Sequence, residues 1–358
     1  MRSNKLALIT LLVVTISILA ACAKPNDPQS KLKAGQAALD KGDTASAIRE
    51  LEPLIASNPQ LAEARVLLGQ AYEKAGRQTD AISQYQAALA LQSPDAQAAY
   101  YLGALLVIGG NNTDAALALA TGVKLNASMA VSYTKEISTV VAAGMATSED
   151  LVKTNPQQAA QLLEAITTLD SRSVRARVLL GNVYVSAGQP QVAVNQYQAA
   201  LALDSKNISA ITNLGAAYYQ MGKLDEAIAQ FQSALKLAPD DAETHYLLGA
   251  AYIQKNLLPL ARAEFEAALK ANPKLAAAYI GLGNVQLMQQ DVDGAISSLN
   301  QAVQLAPNQP EALYGLGKAL MTKGDKAGAR QALQRFLALN PPSTRRAEVE
   351  EWLKQLGQ

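Results

Sequence analysis

The chain of 358 residues holds one cysteine, one histidine, one tryptophan and three phenylalanines. A single cysteine forms no internal disulfide, and with only one histidine it has no ligand set for a metal and almost no partner for a Cys/His catalytic pair. Net charge is also lacking. The 31 Lys and Arg nearly balance the 30 Asp and Glu, so no field gathers nucleic acid, and no nucleic-acid partner is expected. Aromatic residues make up 5% while apolar residues reach 49%, alanine prominent among them. Small apolar side chains let helix backbones approach, which points to close-packed helices rather than a large aromatic core. The chain has no glycine-rich phosphate loop, and its Asp and Glu are scattered at helix starts and exposed faces. No catalytic residue, metal site or cofactor is expected, and the chain is read as non-enzymatic.

One long uncharged run is present, from Leu6 to Ala21, preceded by Arg2 and Lys5 and ending in Ala20 and Ala21. It is shorter than the roughly 20 residues of a bilayer-spanning helix and has the layout of a secretory signal. Leu19, Ala20, Ala21 and Cys22 resemble the lipobox of bacterial lipoproteins. That resemblance implies cleavage before Cys22, attachment of a diacylglycerol to its sulfur and acylation of the new amino terminus. Cys22 is then a membrane anchor, each buried methylene contributing about 0.8 kcal/mol and two or more acyl chains making attachment stable. The alternatives are a plain signal peptide with an incidental cysteine and an uncleaved anchor. Residues 1–21 are read as the signal and 22–28 as the lipidated terminus and a short linker, which spans at most roughly 20 Å. Ala23, rather than Asp, follows the anchor; in diderm bacteria this implies the outer membrane facing the periplasm, and in monoderm bacteria the outer face of the cytoplasmic membrane.

Beyond the signal the chain repeats itself. Gly35, Gly69 and Gly103, then Gly181, Gly215, Gly249, Gly283 and Gly317, stand 34 residues apart within each series. Ala47, Ala81 and Ala115, then Ala193, Ala227, Ala261, Ala295 and Ala329, follow them by twelve. Each unit reads as two amphipathic segments of about a dozen residues, too short to be stable alone. The small residues mark where paired helices cross, and prolines in the links stop one helix and shape the next. Leu214, Gly215, Tyr218, Gly222, Ala227, Phe231, Ala234 and Pro239 write out the pattern of the tetratricopeptide repeat, and the chain resembles that family over nearly all of residues 28–343. The resemblance implies an all-α, right-handed α-α superhelix (a tetratricopeptide solenoid) of about nine helix-turn-helix repeats. Three units fall in 29–129 and five in 174–342. The tail 343–358, with Val349, Trp352, Leu353 and Leu356 on one face, is expected to cap the stack, with Trp352 as its lid.

Between the two series ten residues are added. The fourth unit, 130–173, keeps an intact second helix opened by Asn155 and Pro156, with Ala159 in the small position. Its first half lacks the Leu-Gly pair, and Gly144 and Ser148 suggest a break. The expectation is a longer first helix, or a helix and an extra turn, projecting from the stack. It is either a decayed repeat that still packs or a hinge or docking knob. The sole histidine, His245, falls at the fourth position of its repeat and is read as packing filler.

In the family, residues of each first helix line a concave groove that binds peptides or helices of partner proteins. Carried over, the fifth positions include Tyr100, Tyr246 and Tyr314, the ninth Asn182, Asn284 and Lys318, and the twelfth Tyr219. These seven are the candidate groove residues, suited to a hydrophobic peptide whose backbone the amides hold. The tyrosines could instead fold back onto neighbours. The basic clamp by which some relatives grip a terminal carboxylate is met only by Lys318, and the asparagine ladder of sugar-transferring relatives only by Asn213, so neither activity is implied. Family precedents include lipoproteins that assist type IV pili and secretins, cell-wall enzymes and polysaccharide export. The functional expectation is a lipid-anchored envelope scaffold binding a partner protein or peptide. The alternative is a self-associating structural spacer, and the oligomeric state stays open.

Overall fold

Helix starts follow from local chemistry repeated down the chain. The computed structural model describes residues 27–340 and 342–357, and among these residues it is all-helical. The signal, Cys22 and Pro341 lie outside them. Asp43 accepts from the backbone N–H of Ser46 at 3.0 Å, Asn207 from Ala210 at 3.0 Å and Asp241 from Thr244 at 3.0 Å. Each such cap satisfies a donor that the first helical turn leaves open. Pro156, Pro190 and Pro310 open their helices at the position where a missing N–H costs nothing.

The chain divides between Ser173 and Val174 into two compact units. In the first, α1 (Pro28–Asp40) pairs with α2 (Thr44–Ser57), α3 (Ala62–Lys74) with α4 (Gln78–Leu89), and α5 (Ala96–Ile108) with α6 (Asn112–Leu125). A 3-10 segment (Ala127–Tyr133) then leads into α7 (Thr134–Thr154), which pairs with α8 (Pro156–Leu169). The second unit holds α9 (Val174–Ser186), α10 (Pro190–Leu203), α11 (Ile208–Gln220), α12 (Leu224–Leu237), α13 (Ala242–Gln254), α14 (Leu258–Ala271), α15 (Ala276–Met288), α16 (Val292–Leu305), α17 (Pro310–Lys323) and α18 (Lys326–Ala338). These pair in chain order, and α19 (Ser343–Gly357) closes the unit on α18.

The close crossings lie where the small residues predict. A Cβ on Gly69 would stand 2.4 Å from Tyr85, and one on Gly317 2.4 Å from Leu333, in each case the residue sixteen further on. Ala47, Ala81, Ala227 and Ala329 are fully buried. Most intra-repeat turns need a left-handed residue, supplied by glycine at Gly42, Gly76, Gly110, Gly188, Gly222 and Gly324. Two repeats place Asn256 (φ 56°) and Gln290 (φ 64°) there instead.

The fourth repeat corrects an expectation. Gly144 and Ser148 do not break the chain; α7 runs unbroken through 21 residues. Gly144 is buried against Leu162 and Ile166 of α8, and the hydroxyl of Ser148 donates to the Gly144 carbonyl at 2.7 Å, so it needs no partner outside its own helix. The expected longer first helix is present, and from Val140 onward it packs inward. Val140, Gly144 and Ser148 form a buried stripe, and the helix packs on both α6 and α8. Both α7 and α8 lie on α6, an arrangement the regular repeats do not use.

Candidate functional site

The candidate groove residues divide by unit. In the first, Tyr100 is 0% exposed, so the structure removes it from the groove. Its ring lies against Tyr133 with centroids 4.7 Å apart, its hydroxyl donates to the Asn126 carbonyl at 2.9 Å, and Gly122 gives it room from α6. The 3-10 segment brings Tyr133 there, and Tyr133 also meets the edge of Tyr101. A ring so covered is a packing element.

In the second unit the first helices α9, α13, α15 and α17 carry Asn182, Tyr246, Asn284, Tyr314 and Lys318 along three hollows, while Tyr219 on α11 lines none of them. The first, of ≈ 310 Å³, lies among α9, α11 and the start of α13. Asn182 on its wall accepts from the Tyr197 hydroxyl at 2.7 Å and from the Asn213 amide at 2.8 Å. These bonds orient the side chain and leave its own amide hydrogens to donate. Thr212 and Thr244 share a buried hydrogen bond at 3.1 Å behind it. Burial raises the pKa of the Tyr197 phenol, which stays a donor.

The second hollow, of ≈ 330 Å³, has Tyr246, Ile253, Ile280 and Tyr314 as its apolar walls and Asn284 on its rim. Gly281 makes its floor. A Cβ there would meet the Phe265 ring at 2.5 Å, so glycine lets that ring fill the space below α15. Tyr246 tilts against Phe265 with centroids 6.0 Å apart. Its pKa is raised by burial first, then by Tyr219 and Glu311. Tyr219 itself is half-buried beside this cluster.

The third hollow continues past Asn284 and Tyr314 to Leu287, Met288, Val292 and Lys318. Met288 is 51% exposed there, while Asn284 and Lys318 are exposed polar groups on its rim. Tyr314 serves two roles. Its hydroxyl donates to Glu348 at 2.8 Å, Trp352 lies 5.4 Å from its ring and Arg345 sits 5.1 Å over it, so α19 covers one face. Its pKa is pushed up to about 12, chiefly by burial and then by the bond to Glu348. Trp352 is thus the expected lid on the last repeat. Sequence reasoning missed Glu311 and Arg345, 3.9 Å apart on the rim of the second hollow, because Arg345 comes from the capping helix.

His245 is a tie between elements. Both its ring nitrogens have partners, Glu264 at 2.6 Å and the Pro239 carbonyl at 2.8 Å. Among the described residues no cluster of His, Cys, Asp and Glu is placed to hold a metal, and no helix is long and apolar enough to cross a membrane.

A family model described as "Tetratricopeptide repeat" matches residues 32–96, 79–129, 258–310 and 281–344, more than half of the chain. A second, described as "TPR repeat", matches 181–222 and 217–256. Neither covers the fourth repeat. No curated protein matches the chain. Among solved structures, one described as a functional characterisation of Pseudomonas aeruginosa PilF is 20% identical, covering 59% of this chain and 96% of its own, with a TM-score of 0.53. YrrB, described as a TPR protein with an unusual peptide-binding site, is 20% identical over 54% of this chain and 99% of its own, with a TM-score of 0.43. MamA from Desulfovibrio magneticus RS-1 is 22% identical over 50% of this chain and 95% of its own, with a TM-score of 0.41. At these identities the PilF likeness speaks to fold alone.

Proposed function

We propose, from the premise that this chain belongs to the tetratricopeptide-repeat family, that it is a lipid-anchored scaffold holding a partner protein in the groove of its second unit. Proteins of this family are generally non-catalytic scaffolds for protein–protein interaction. The observation that carries the reading is the run of adjoining hollows along α13, α15 and α17, floored by Gly281 and Phe265 and rimmed by Asn284 and Lys318. Apolar cavities with a few convergent polar groups suit the side chains and backbone of a visiting segment.

The anchor rests on the sequence alone. A charged start, an uncharged run and Leu19-Ala20-Ala21-Cys22 support export, cleavage and lipid attachment at Cys22, and with them a place in the bacterial envelope. The partner is then an envelope protein, and the role is assisting assembly of an envelope machine for pilus or secretion, polysaccharide export or cell-wall synthesis. The second reading, a self-associating spacer, is favoured by the exposed apolar side chains Ile108 and Val131, which lie outside the groove.

The test is a pull-down from solubilised envelope with the mature chain made soluble by Cys22→Ser, beside a variant carrying Tyr219→Ala, Asn284→Ala and Lys318→Ala. Tyr314 is left in place because α19 needs it. One envelope protein captured by the first and lost with the second supports the groove. Equal capture moves the site elsewhere, and capture of the chain alone favours the spacer. Labelling with a radioactive fatty acid, abolished by Cys22→Ser, tests the anchor separately.

A further inference from the structure

The three hollows of the second unit differ in charge. The walls of the first carry two carboxylates, Asp241 and Glu243, and no cation. The second carries one of each sign, Glu311 and Arg345, facing each other across 3.9 Å. The third carries one ammonium, Lys318, and no carboxylate. Between the charged ends lie Tyr246, Ile253, Ile280 and Leu287, which are apolar and half-buried. The surface is therefore graded from acidic, through apolar, to basic.

We infer that this groove selects a bipolar segment of its partner protein, with basic side chains at Asp241 and Glu243, apolar ones in the middle and a side-chain carboxylate at Lys318. The inference rests on the groove reading above and specifies the chemistry of its occupant. A partner of uniform charge meets repulsion at one end of such a surface; a bipolar one is attracted at both and in one orientation only. One ammonium beside one amide, Asn284, is a recognition set for a single side-chain carboxylate. Exposed ion pairs are weak, so the apolar middle supplies affinity while the ends set selectivity and direction.

The experiment uses the full mature chain carrying Cys22→Ser and four end-amidated synthetic peptides that share one apolar centre, read by fluorescence anisotropy. One peptide has a basic and an acidic end, one two basic ends, one two acidic ends and one neutral ends. The bipolar peptide is expected to bind about three- to tenfold more tightly than the neutral one at low salt. The advantage should shrink at about 0.5 M salt, where the screening length falls to roughly 4 Å. Lys318→Glu should shift preference to the doubly basic peptide, while Glu243→Lys, whose new charge Asp241 cancels, should erase the preference for the bipolar over the doubly acidic one, with circular dichroism confirming that both variants stay folded. Equal binding of all four peptides, unmoved by either substitution, overturns the bipolar inference and leaves the groove standing. Binding of none overturns both.

Discussion

His245 donates from its Nε2 to the carbonyl oxygen of Pro239 at 2.8 Å, tying the link before its helix to the helix itself. Its other nitrogen reaches Glu264, nineteen residues on, at 2.6 Å. Arg65 stands at the same place in the second repeat. Its Nε and Nη2 donate to the Pro59 carbonyl at 3.1 and 2.9 Å, and its Nη1 reaches Gln84, also nineteen residues on, at 3.4 Å. Two unlike side chains thus make one connection between link, first helix and second helix.

From that equivalence His245→Ala is expected to destabilise the second unit by about 0.5–1.5 kcal/mol, since the Pro239 carbonyl loses its donor and Glu264 its partner. His245→Arg should recover most of the loss. Chemical denaturation of the two variants checks both; equal loss would show that the ring is only filler.

Gln290 is expected to be a place where stability can be gained. It holds φ 64° at a turn that six other repeats give to glycine. The left-handed conformation costs a residue with a Cβ roughly 1–2 kcal/mol, against about 0.5–1 kcal/mol of extra chain entropy for glycine. Gln290→Gly should therefore stabilise by about 0.5–1 kcal/mol, seen as a raised Tm. Asn256→Gly should do less, because asparagine tolerates that region.

Tyr133 pins the 3-10 segment to α5 through Tyr100 and Tyr101. Tyr133→Ala should cost the first unit about 2–4 kcal/mol, in the range of aromatic truncations. Tyr133→Phe keeps the ring and should be close to neutral. Hydrogen exchange along α5 gives the local readout: faster exchange in the alanine variant alone is expected, and unchanged exchange would mean the segment merely drapes over the helix.

Alkaline pH should unfold the protein in a defined window. Tyr72, Tyr133 and Tyr314 are each pushed up to about 12, by burial first, with neighbouring tyrosine or carboxylate groups adding to it. A phenol that holds its proton longer folded than unfolded adds stability that is complete below its unfolded value near 10 and is lost as pH rises through its folded value. Stability is expected to fall between about pH 10 and pH 12, read as a falling denaturation midpoint and then as loss of helix by circular dichroism. Helix content unchanged beyond about pH 12 would contradict the burial.

The sequence by itself determined the repeat. A 34-residue period, small residues at the crossings, Asp and Asn at helix starts and proline in the links are local requirements, each met by a residue type at a fixed spacing, so they can be read without coordinates. The capping helix is legible for the same reason, since Val349, Trp352 and Leu356 share one face of a single helix. Only tertiary structure decided which groove side chains are available. Tyr100 and Tyr314 hold the same repeat position, yet the first is closed off by Tyr133 from an irregular segment and the second is half-covered by Trp352 and Glu348 from the cap. Exposure at that position depends on what the next element lays over it, a contact between residues about 34 apart that no local pattern encodes. Gly144 makes the same point in reverse. Glycine alone reads as a helix breaker, and only the presence of Leu162 and Ile166 against its bare Cα makes it a packing residue.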